Sequence, residues 1–259
     1  MDDSTLTTRL AAETRFARLI HVSSCASTQD LAAEEPGADL AVWADMQEAG
    51  RGRQGRTWHG APGKDVEVTF RAAGLPVERP LRLAPVLATA TVLALESFAG
   101  EMLALDWPND VVWRGRKLAG ILVDAQSSRG DGTRGVGTRD VGLLIGIGVN
   151  VNRTSFPPEL LERATSLALI SGRMHEREEI VLRLAQSIDA ALTAFGSGTL
   201  GEHEACFRTR LGLLGRLVRV GLVQGETRSG MLTAIGLEEL TLDDAAPLSL
   251  ALVESLARA

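Results

Sequence analysis

Hydrophobic and polar positions alternate between short strand-like runs and longer helix-like runs through most of the chain. Strands are predicted at residues 15–22, 40–43, 66–70, 103–105, 111–113, 116–124 and 141–151. Helices are predicted at residues 29–35, 80–100, 178–194 and 202–211, with a helical or frayed lead-in at 1–12. This mixture predicts an α+β fold in which a mixed β-sheet packs against helices.

The pattern changes after a glycine-containing stretch at residues 212–215. Beyond it, short strands are predicted at 216–220, 226–234, 239–242 and 248–253, separated by glycine turns. Such closely spaced strands predict a small all-β, barrel-like module. We therefore predict two domains, residues 1–213 and residues 214–259.

The segment from Trp107 to Asp124 predicts a turn followed by a tight β-hairpin. Arg114-Gly115 is a natural two-residue loop, because glycine accepts the positive φ that hairpin turns require. That loop places Val112 opposite Lys117, and Asp110 then lies on the same face as Lys117, its diagonal neighbour. The pattern predicts an ammonium and a carboxylate side by side, although an incidental surface ion pair is the alternative.

Gly120 follows this lysine by three residues. A glycine inside a strand leaves bare backbone where a side chain would pack, which indicates close approach by a ligand or another chain.

A strongly basic loop follows the second predicted strand. In residues 50–56 three glycines alternate with three arginines, a pattern that suits neither a regular strand nor a helix. Its amides and guanidinium groups favour binding of a phosphate or carboxylate, and Trp58 supplies a stacking surface. It is not a Walker loop, because no Gly-Lys-Ser/Thr follows. A nucleic-acid-binding segment or a merely solvated loop are the alternatives.

Two polar groups flank predicted elements. Ser27 or Thr28 can cap the helix at 29–35, and capping and ligand contact are equally compatible with the pattern. Asn150 and Asn152 end the most apolar strand, where they suit a turn or the recognition of a heterocycle edge. Residues 127–140, rich in Ser, Gly, Thr and Arg, predict a mobile connection.

Composition narrows the classes of protein. Of 259 residues, 45% are hydrophobic and 23% charged, which is ordinary for a soluble globular protein. We expect no membrane span and no signal peptide, and two cysteines with four scattered histidines suggest no disulfide framework or metal site. A cytoplasmic location fits this cysteine content. The net charge of −6 disfavours nucleic acid as the main partner.

Four segments together resemble the motifs of the biotin–protein ligase family. In chain order they are the basic loop Gly50-Arg51-Gly52-Arg53-Gln54-Gly55, Trp107-Pro108-Asn109-Asp110, Arg116-Lys117-Leu118-Ala119-Gly120-Ile121, and the Gly-x-Gly-x-Asn strand from Gly146 to Asn150. Their order across most of the chain makes the match specific. The resemblance implies a class II synthetase-like catalytic domain and an SH3-like fold for the C-terminal module.

The resemblance also implies a two-step reaction. Biotin and ATP would give biotinyl-5′-AMP, which would be attacked by a lysine on the biotin-carrier domain of an acyl-CoA or pyruvate carboxylase. Mg²⁺ would accompany ATP, with Asp110 as a weak candidate ligand. The implied protein acts without nucleic acid or membrane, as a monomer or homodimer.

Residue roles carry over by the same resemblance. Catalytic roles fall to Arg53, Lys117 and Asp110. Biotin would be bound by Ser27, Thr28, Gln29, Gln47, Arg51, Gly52, Arg53 and Lys117. ATP or the adenylate would be bound by Arg51, Arg53, Trp58, Asn109, Lys117 and Asn150.

The sequence departs from the family pattern at several places. Gln29 replaces an asparagine, Asp106 replaces a lysine, and residues 63–69 replace a Gly-Asn-Leu-Tyr-x-Ser strand, bringing in Asp65 and Glu67. The sequence offers no group that compensates these acidic residues. These acidic residues leave open the alternative that the protein binds biotin or its adenylate with weak catalysis. The nearest alternative enzyme is a lipoyl or octanoyl transferase.

About 26 residues precede Ser27, too few for the N-terminal DNA-binding domain that some members carry. We therefore expect the catalytic-only form.

Overall fold

The computed structural model describes residues 1–75, 80–127, 141–243 and 245–259. Most of the predicted connection at 127–140 therefore lies outside the described residues. The helices are α1 (Asp3–Glu13), α2 (Thr28–Glu34), α3 (Pro80–Ala99), α4 (Leu167–Ser171), α5 (Arg177–Ser197) and α6 (Gly201–Leu211). The first seven strands are β1 (Leu19–Val22), β2 (Leu40–Ala44), β3 (Val66–Leu75), β4 (Ala104–Asp106), β5 (Asp110–Trp113), β6 (Arg116–Ser127) and β7 (Val141–Val149).

These seven strands form one sheet in the order β1-β2-β3-β7-β6-β5-β4. Strands β1 and β2 pair in parallel and all other neighbours pair antiparallel, so the sheet is mixed as the sequence predicts. The three longest strands, β3, β7 and β6, lie side by side at its centre.

The two faces of the sheet carry different residues because side chains alternate along each strand. On one face, Ile145, Ile147 and Val149 of β7 enter the main hydrophobic core, which also includes residues of α3 and α5. On the opposite face, Leu144 packs with Ala32 of α2 in a smaller core. On β7 the other positions of that second face are Gly142, Gly146 and Gly148, which leaves room for a pocket beside α2.

A second sheet follows α6. Strands β8 (Leu217–Leu222), β9 (Thr227–Ile235), β10 (Glu239–Leu242), β11 (Leu248–Ser249) and β12 (Val253–Arg258) are arranged in the order β11-β10-β9-β8-β12. All described pairs in this sheet are antiparallel, in agreement with the expected small all-β unit. The domain boundary at residues 213/214 and the SH3-like assignment stay predictions.

Several element boundaries differ from the predictions. Strand β3 runs on to Leu75, the predicted strand at 15–22 begins only at Leu19, and α4 was not foreseen. The single strand predicted at 248–253 is two strands separated by a 3-10 turn at Leu250–Leu252. The break arises because β11 pairs with β10 whereas β12 pairs with β8. A local run of apolar residues cannot show this difference in pairing.

Among the described residues, none of the helices combines the length and apolarity needed to cross a bilayer.

Candidate functional site

A pocket opens on the second face of the sheet beside the start of α2. All but one of the predicted site residues line it: Ser27, Thr28, Gln29, Gln47, Arg51, Gly52, Arg53, Trp58, Asn109, Asp110 and Lys117. Asn150 lies instead in an adjoining recess. The structure thus brings together segments that lie up to 90 residues apart in the sequence.

The floor of the pocket is built from glycines. A Cβ added at Gly148 of β7 would lie 2.4 Å from the Trp58 ring, and one at Gly146 would lie 2.9 Å from Nε2 of Gln29. Both contacts are shorter than side-chain carbons tolerate, so the Gly-x-Gly alternation of β7 is required by close approach of these two side chains.

The β5–β6 hairpin carries the predicted charge pair. Lys117 Nζ lies 2.7 Å from Asp110 Oδ2, and Lys117 is opposite Val112, as the two-residue loop predicts. A Cβ at Gly120 would lie 3.1 Å from the lysine Cε and Nζ atoms. The bare backbone accommodates the Lys117 side chain, and Gly120 also lines the pocket, so its predicted approach to a ligand stays a prediction.

The main chain of Lys117 is fixed from a second direction. Its N–H donates to Arg163 O at 2.8 Å, and its carbonyl accepts from Thr165 N at 2.9 Å. The Asn150 amide also donates to Lys117 O at 3.3 Å and to Thr165 O at 3.0 Å. Asn150 therefore orients the lysine through its backbone, and its predicted role in reading a purine edge stays a prediction.

At the other end of the pocket, the start of α2 meets Gln47. The side-chain Oε1 of Gln47 accepts from Thr28 N at 2.7 Å and from Thr28 Oγ1 at 3.0 Å, which leaves the Gln47 amide nitrogen for another partner. Ser27 occupies the N-cap position of α2, but its side chain makes no capping hydrogen bond. These groups present amide and hydroxyl hydrogen-bonding atoms to the pocket.

Gln29, which replaces the family's asparagine, is almost fully buried beside this cluster. Its Nε2 donates to Leu122 O at 3.1 Å. Its Oε1 is buried with no hydrogen-bond partner among the described residues. A buried acceptor without a donor is unfavourable, so this oxygen is suited to an N–H group of a ligand.

The basic loop is more ordered than the glycine content suggests. Gly52 N donates to Arg56 O at 2.7 Å and Trp58 N donates to Gly50 O at 2.9 Å, which closes the loop as a small hairpin. Arg51 pairs with Asp30 of α2 at 2.6 Å, while Arg53 Nη1 lies 3.5 Å from Asn109 Oδ1. Gln54 Nε2 of the loop also donates to Glu254 Oε1 at 2.8 Å. These contacts hold the loop over the pocket.

The adjoining recess contains residues that the sequence analysis did not select. Arg56, Trp58, Asp110 and Lys117 line both spaces. Besides the predicted Asn150, the recess adds Arg153, Phe156 and Arg163. Arg56 shares the Gly-Arg alternation and could have been chosen on that ground. The other residues come from the segment after β7, where no sequence pattern marked them.

The structure supplies a partner for Asp65 that the sequence did not reveal. Arg153 Nε donates to its Oδ2 at 2.6 Å, and both side chains are at least nine-tenths buried. Asp65 also accepts from Ala61 N at 2.7 Å and Val151 N at 3.0 Å. This carboxylate is therefore neutralised and does not oppose an anionic ligand, which corrects the expectation that the acidic residues lack compensation.

Asp106 lies at the exposed edge of the site, opposite Asp110 in the β4–β5 pair. Partial desolvation, followed by the neighbouring Asp110 carboxylate, raises the pKa of Asp106. Each effect disfavours a second negative charge beside the Lys117–Asp110 pair.

Glu67 is the third acidic residue and lies on β3, 3% exposed. Its Oε2 accepts from Gln47 N at 2.9 Å. Desolvation by burial raises the pKa of this carboxyl to about 7; Asp65 adds to the rise, whereas the hydrogen bond from Gln47, the nearby Trp58 indole N–H and the charge of Arg153 oppose it. The carboxyl is therefore partly protonated at neutral pH.

This buried carboxyl predicts a pH dependence of stability. Its folded-state pKa of about 7 exceeds the ordinary 4.5, so the folded state retains the proton that the unfolded state releases. Its contribution to the free energy of unfolding is greatest below pH 4.5 and declines by roughly 3 kcal/mol as pH rises to about 7.

Denaturant unfolding of the parent and Glu67→Gln proteins from pH 4.5 to 8 measures this contribution. As pH rises across that window, we expect the unfolding free energy of the parent to fall relative to that of Glu67→Gln. A constant difference would contradict the raised pKa.

One carboxylate, Asp110, is available in the pocket for a divalent cation. Among the described residues, no group of three or more His, Cys, Asp or Glu side chains is placed to hold a metal ion. Mg²⁺ is commonly held by one or two carboxylates together with substrate phosphates, so Asp110 fits it only as part of a nucleotide complex.

Comparisons with known proteins agree with this fold. Residues 19–136 match the model of the biotin/lipoate A/B protein ligase family. The chain is 32% identical over 209 residues to the biotin–[acetyl-CoA-carboxylase] ligase of Mycobacterium tuberculosis, covering 78% of this chain and 73% of that protein. It is 34% identical over 189 residues to the bifunctional ligase/repressor BirA of Bacillus spizizenii, covering 70% of this chain. That match spans only 55% of the Bacillus protein's length.

Among solved structures, the chain is similar to the biotin protein ligase from Aquifex aeolicus in complex with biotin and ATP. The TM-score is 0.76 at 28% sequence identity, over 94% of this chain and 100% of that one. The shared fold includes the sheet face on which the pocket lies.

Proposed function

This chain belongs to the biotin/lipoate A/B protein ligase family, and we propose that it is a biotin–protein ligase. It activates biotin with ATP as biotinyl-5′-AMP and transfers the biotinyl group to a lysine of a carrier domain. The observation that carries the proposal is a single pocket that joins neutral hydrogen-bonding groups at one end to cationic groups at the other.

The neutral end suits the ureido ring of biotin. Ser27, Thr28 and Gln47 offer hydroxyl and amide groups, and the unpartnered Oε1 of Gln29 offers an acceptor for a ureido N–H. The ureido ring has one carbonyl and two N–H groups, so it needs both kinds of partner. A site whose buried polar groups match the ligand discriminates strongly against analogues that lack them.

The cationic end suits the reacting anions. The biotin carboxylate oxygen would attack the α-phosphorus of ATP while the bond to the bridging oxygen breaks and pyrophosphate leaves. Lys117 and Arg53 would neutralise the charge that builds up on the phosphoryl oxygens, and Asp110 would hold the ammonium in place. In the second step the carrier lysine amine would attack the acyl carbon, and AMP would leave.

The adjoining recess suits the nucleoside. Trp58 and Phe156 provide aromatic surfaces, and Arg56 and Asn150 provide polar groups on the far side of Lys117 from the ureido end. Mg²⁺ would enter with the ATP phosphates and stabilise the leaving pyrophosphate, held in part by Asp110.

The acceptor and location are part of the same proposal. The Mycobacterium tuberculosis relative is named for acetyl-CoA carboxylase, and we infer a carboxylase biotin-carrier domain as the partner of this chain. Cys25 and Cys206 are both free thiols, which supports a cytoplasmic location.

Biotin-dependent exchange between ATP and pyrophosphate tests the first step. Purified protein is expected to catalyse exchange with biotin and not with lipoate or octanoate, and to biotinylate a carrier domain in a second assay. Exchange with lipoate instead of biotin would support the lipoyl-transferase alternative. Biotin binding without exchange would support the weak-binding alternative.

Arg53 provides a prediction about retention of the intermediate. Arg53→Gly is expected to leave the fold intact, because the side chain has one weak described contact, to Asn109 at 3.5 Å. The adenylate should escape and acylate unrelated amines, since one of the cations that hold it is gone.

The measurement is the half-life of bound adenylate and the biotinylation of bystander proteins. Arg114→Gly, an exposed arginine of the β5–β6 loop with a positive φ, is the matched control. Unchanged half-life and acceptor selectivity in Arg53→Gly would refute this role.

A further inference from the structure

Glu67 lies behind the pocket wall and has no role in the reaction described above. Its side chain projects from β3 on the same sheet face as Thr69. Thr69 Oγ1 lies 2.9 Å from Thr28 Oγ1, so β3 already contacts the ureido end through this neighbour.

One oxygen of Glu67 fixes Gln47. Its Oε2 accepts from the Gln47 main-chain N–H, while the Gln47 side chain contacts Thr28 in front of it. Any movement of the carboxyl therefore moves the backbone of a residue that forms the pocket.

The other oxygen lies beside Trp58. The nearby Trp58 indole N–H lowers the pKa of Glu67. Trp58 Nε1 and Glu67 Oε1 are both buried, and neither atom makes a hydrogen bond among the described residues. Gly60 leaves the space for this oxygen, since a Cβ there would overlap Glu67 Oε1. Gln47 and Trp58, on two walls of the pocket, thus meet at one buried carboxyl.

We propose that Glu67 is a positioning residue: as a carboxylate it keeps the hydrogen bond from Gln47 N–H and attracts the unpartnered Trp58 indole N–H, and so sets the shape of the biotin end of the pocket. The proposal rests on the proposed function for its effect on biotin. A protonated carboxyl, or a glutamine, has one good acceptor oxygen and can satisfy only one of the two donors.

The ionised fraction of Glu67 changes close to neutral pH, so this positioning depends on pH. The charged and titratable groups around it are Asp65 and Arg153 behind it, Cys25 beside Gln47, and His59 next to Trp58. Burial raises the pKa of the Cys25 thiol, and the Glu67 charge adds to that rise, so Cys25 stays neutral in this range. Affinity for biotin is expected to rise with pH between about 6 and 8.

Tryptophan fluorescence tests the positioning without any assay of activity. The emission of Trp58, obtained as the difference between the parent and Trp58→Phe, is expected to titrate near pH 7. That step should vanish in Glu67→Gln and persist in His59→Gln, which removes the histidine next to Trp58. A step that survives in Glu67→Gln, or that is lost in His59→Gln, would overturn the proposal.

Kinetics test the effect on biotin. In the exchange assay, Glu67→Gln is expected to raise the KM for biotin roughly 3–10-fold at pH 8, which is the worth of about one hydrogen bond. The KM should then be independent of pH, with kcat little changed. Glu48→Gln, an exposed neighbour of Gln47 that accepts from Ser24, is the control. An equal change in the control, or a fall in kcat at constant KM, would count against positioning by Glu67.

Failure of the two proposals can be told apart. Absence of exchange in the parent would refute the ligase function and leave the fluorescence step intact. If Glu67→Gln does not fold, the difference in emission between His59→Gln and His59→Gln/Trp58→Phe decides, because the histidine next to Trp58 is absent from both variants. A flat difference in that pair would overturn the proposal.

Discussion

Lys117→Ala is expected to slow biotinyl-adenylate formation by roughly 10²–10³, or about 2.7–4 kcal/mol, by analogy with losing one oxyanion donor. The ammonium lies 2.7 Å from Asp110 and 5.5 Å from the centre of the Trp58 ring, at the junction of the two spaces proposed for biotin and nucleotide. Its charge would be needed most when negative charge builds up on the transferring phosphoryl group. Single-turnover formation of the adenylate measures the effect.

The fold should barely respond to this change. The Lys117 side chain is 37% exposed, and an ion pair of that kind contributes little to stability. Lys117→Arg should not restore full activity, because a planar guanidinium replaces a compact ammonium in a tight site above Gly120. Arg116→Ala, its exposed neighbour on β6, is the control. Near-normal adenylation in Lys117→Ala would refute the assignment, and a collapse of the melting temperature would indicate a structural role.

Arg153→Ala is expected to lower the free energy of unfolding by roughly 3–5 kcal/mol. The change leaves the Asp65 carboxylate, which is 2% exposed, without its counter-charge between β3 and the segment after β7. The lost guanidinium also donates to His59 O and lies 5.2 Å above the Phe156 ring. Denaturant unfolding at neutral pH measures the loss.

A double variant that lacks both charges separates the loss of the counter-charge from the loss of packing. Asp65→Asn/Arg153→Met removes both charges and should recover most of the stability lost in Arg153→Ala, because no isolated buried charge remains. Arg163→Ala, an exposed arginine of the same recess, should change stability by less than about 0.5 kcal/mol. A cost below about 1 kcal/mol for Arg153→Ala would show that the pair is not what neutralises Asp65.

The sequence was sufficient wherever the geometry is local. The β5–β6 hairpin is the clearest case: Arg114 and Gly115 both have positive φ, and the strand period of two then places Lys117 next to Asp110. A bulge between Val111 and Val112 shifts the rest of the pairing, but it leaves this pair intact. Turn geometry and strand alternation are properties of neighbouring residues, so they can be read before the fold is known.

The candidate site was also largely predictable as a set of residues. The resemblance and the Gly-Arg alternation selected side chains that the structure gathers into one pocket, apart from Asn150. Their individual roles were not determined in this way. Asn150 holds the backbone of Lys117, which the sequence could not show because the two residues come from different segments. Gly120 makes room for the side chain of Lys117 on the same strand, which depends on the direction that the side chain takes in the folded site.

The sequence by itself determined the α+β class, the hairpin charge pair and the basic loop, since each depends on spacing within one segment. Only the tertiary structure decided the effect of the acidic residues that depart from the family pattern. Asp65 meets Arg153 across 88 residues, and Glu67 meets Gln47 across 20, once β3 has entered the centre of the sheet. The physical reason is that the cost of a buried charge depends on desolvation and on its partners, and both are set by strands that pair over long distances in the chain.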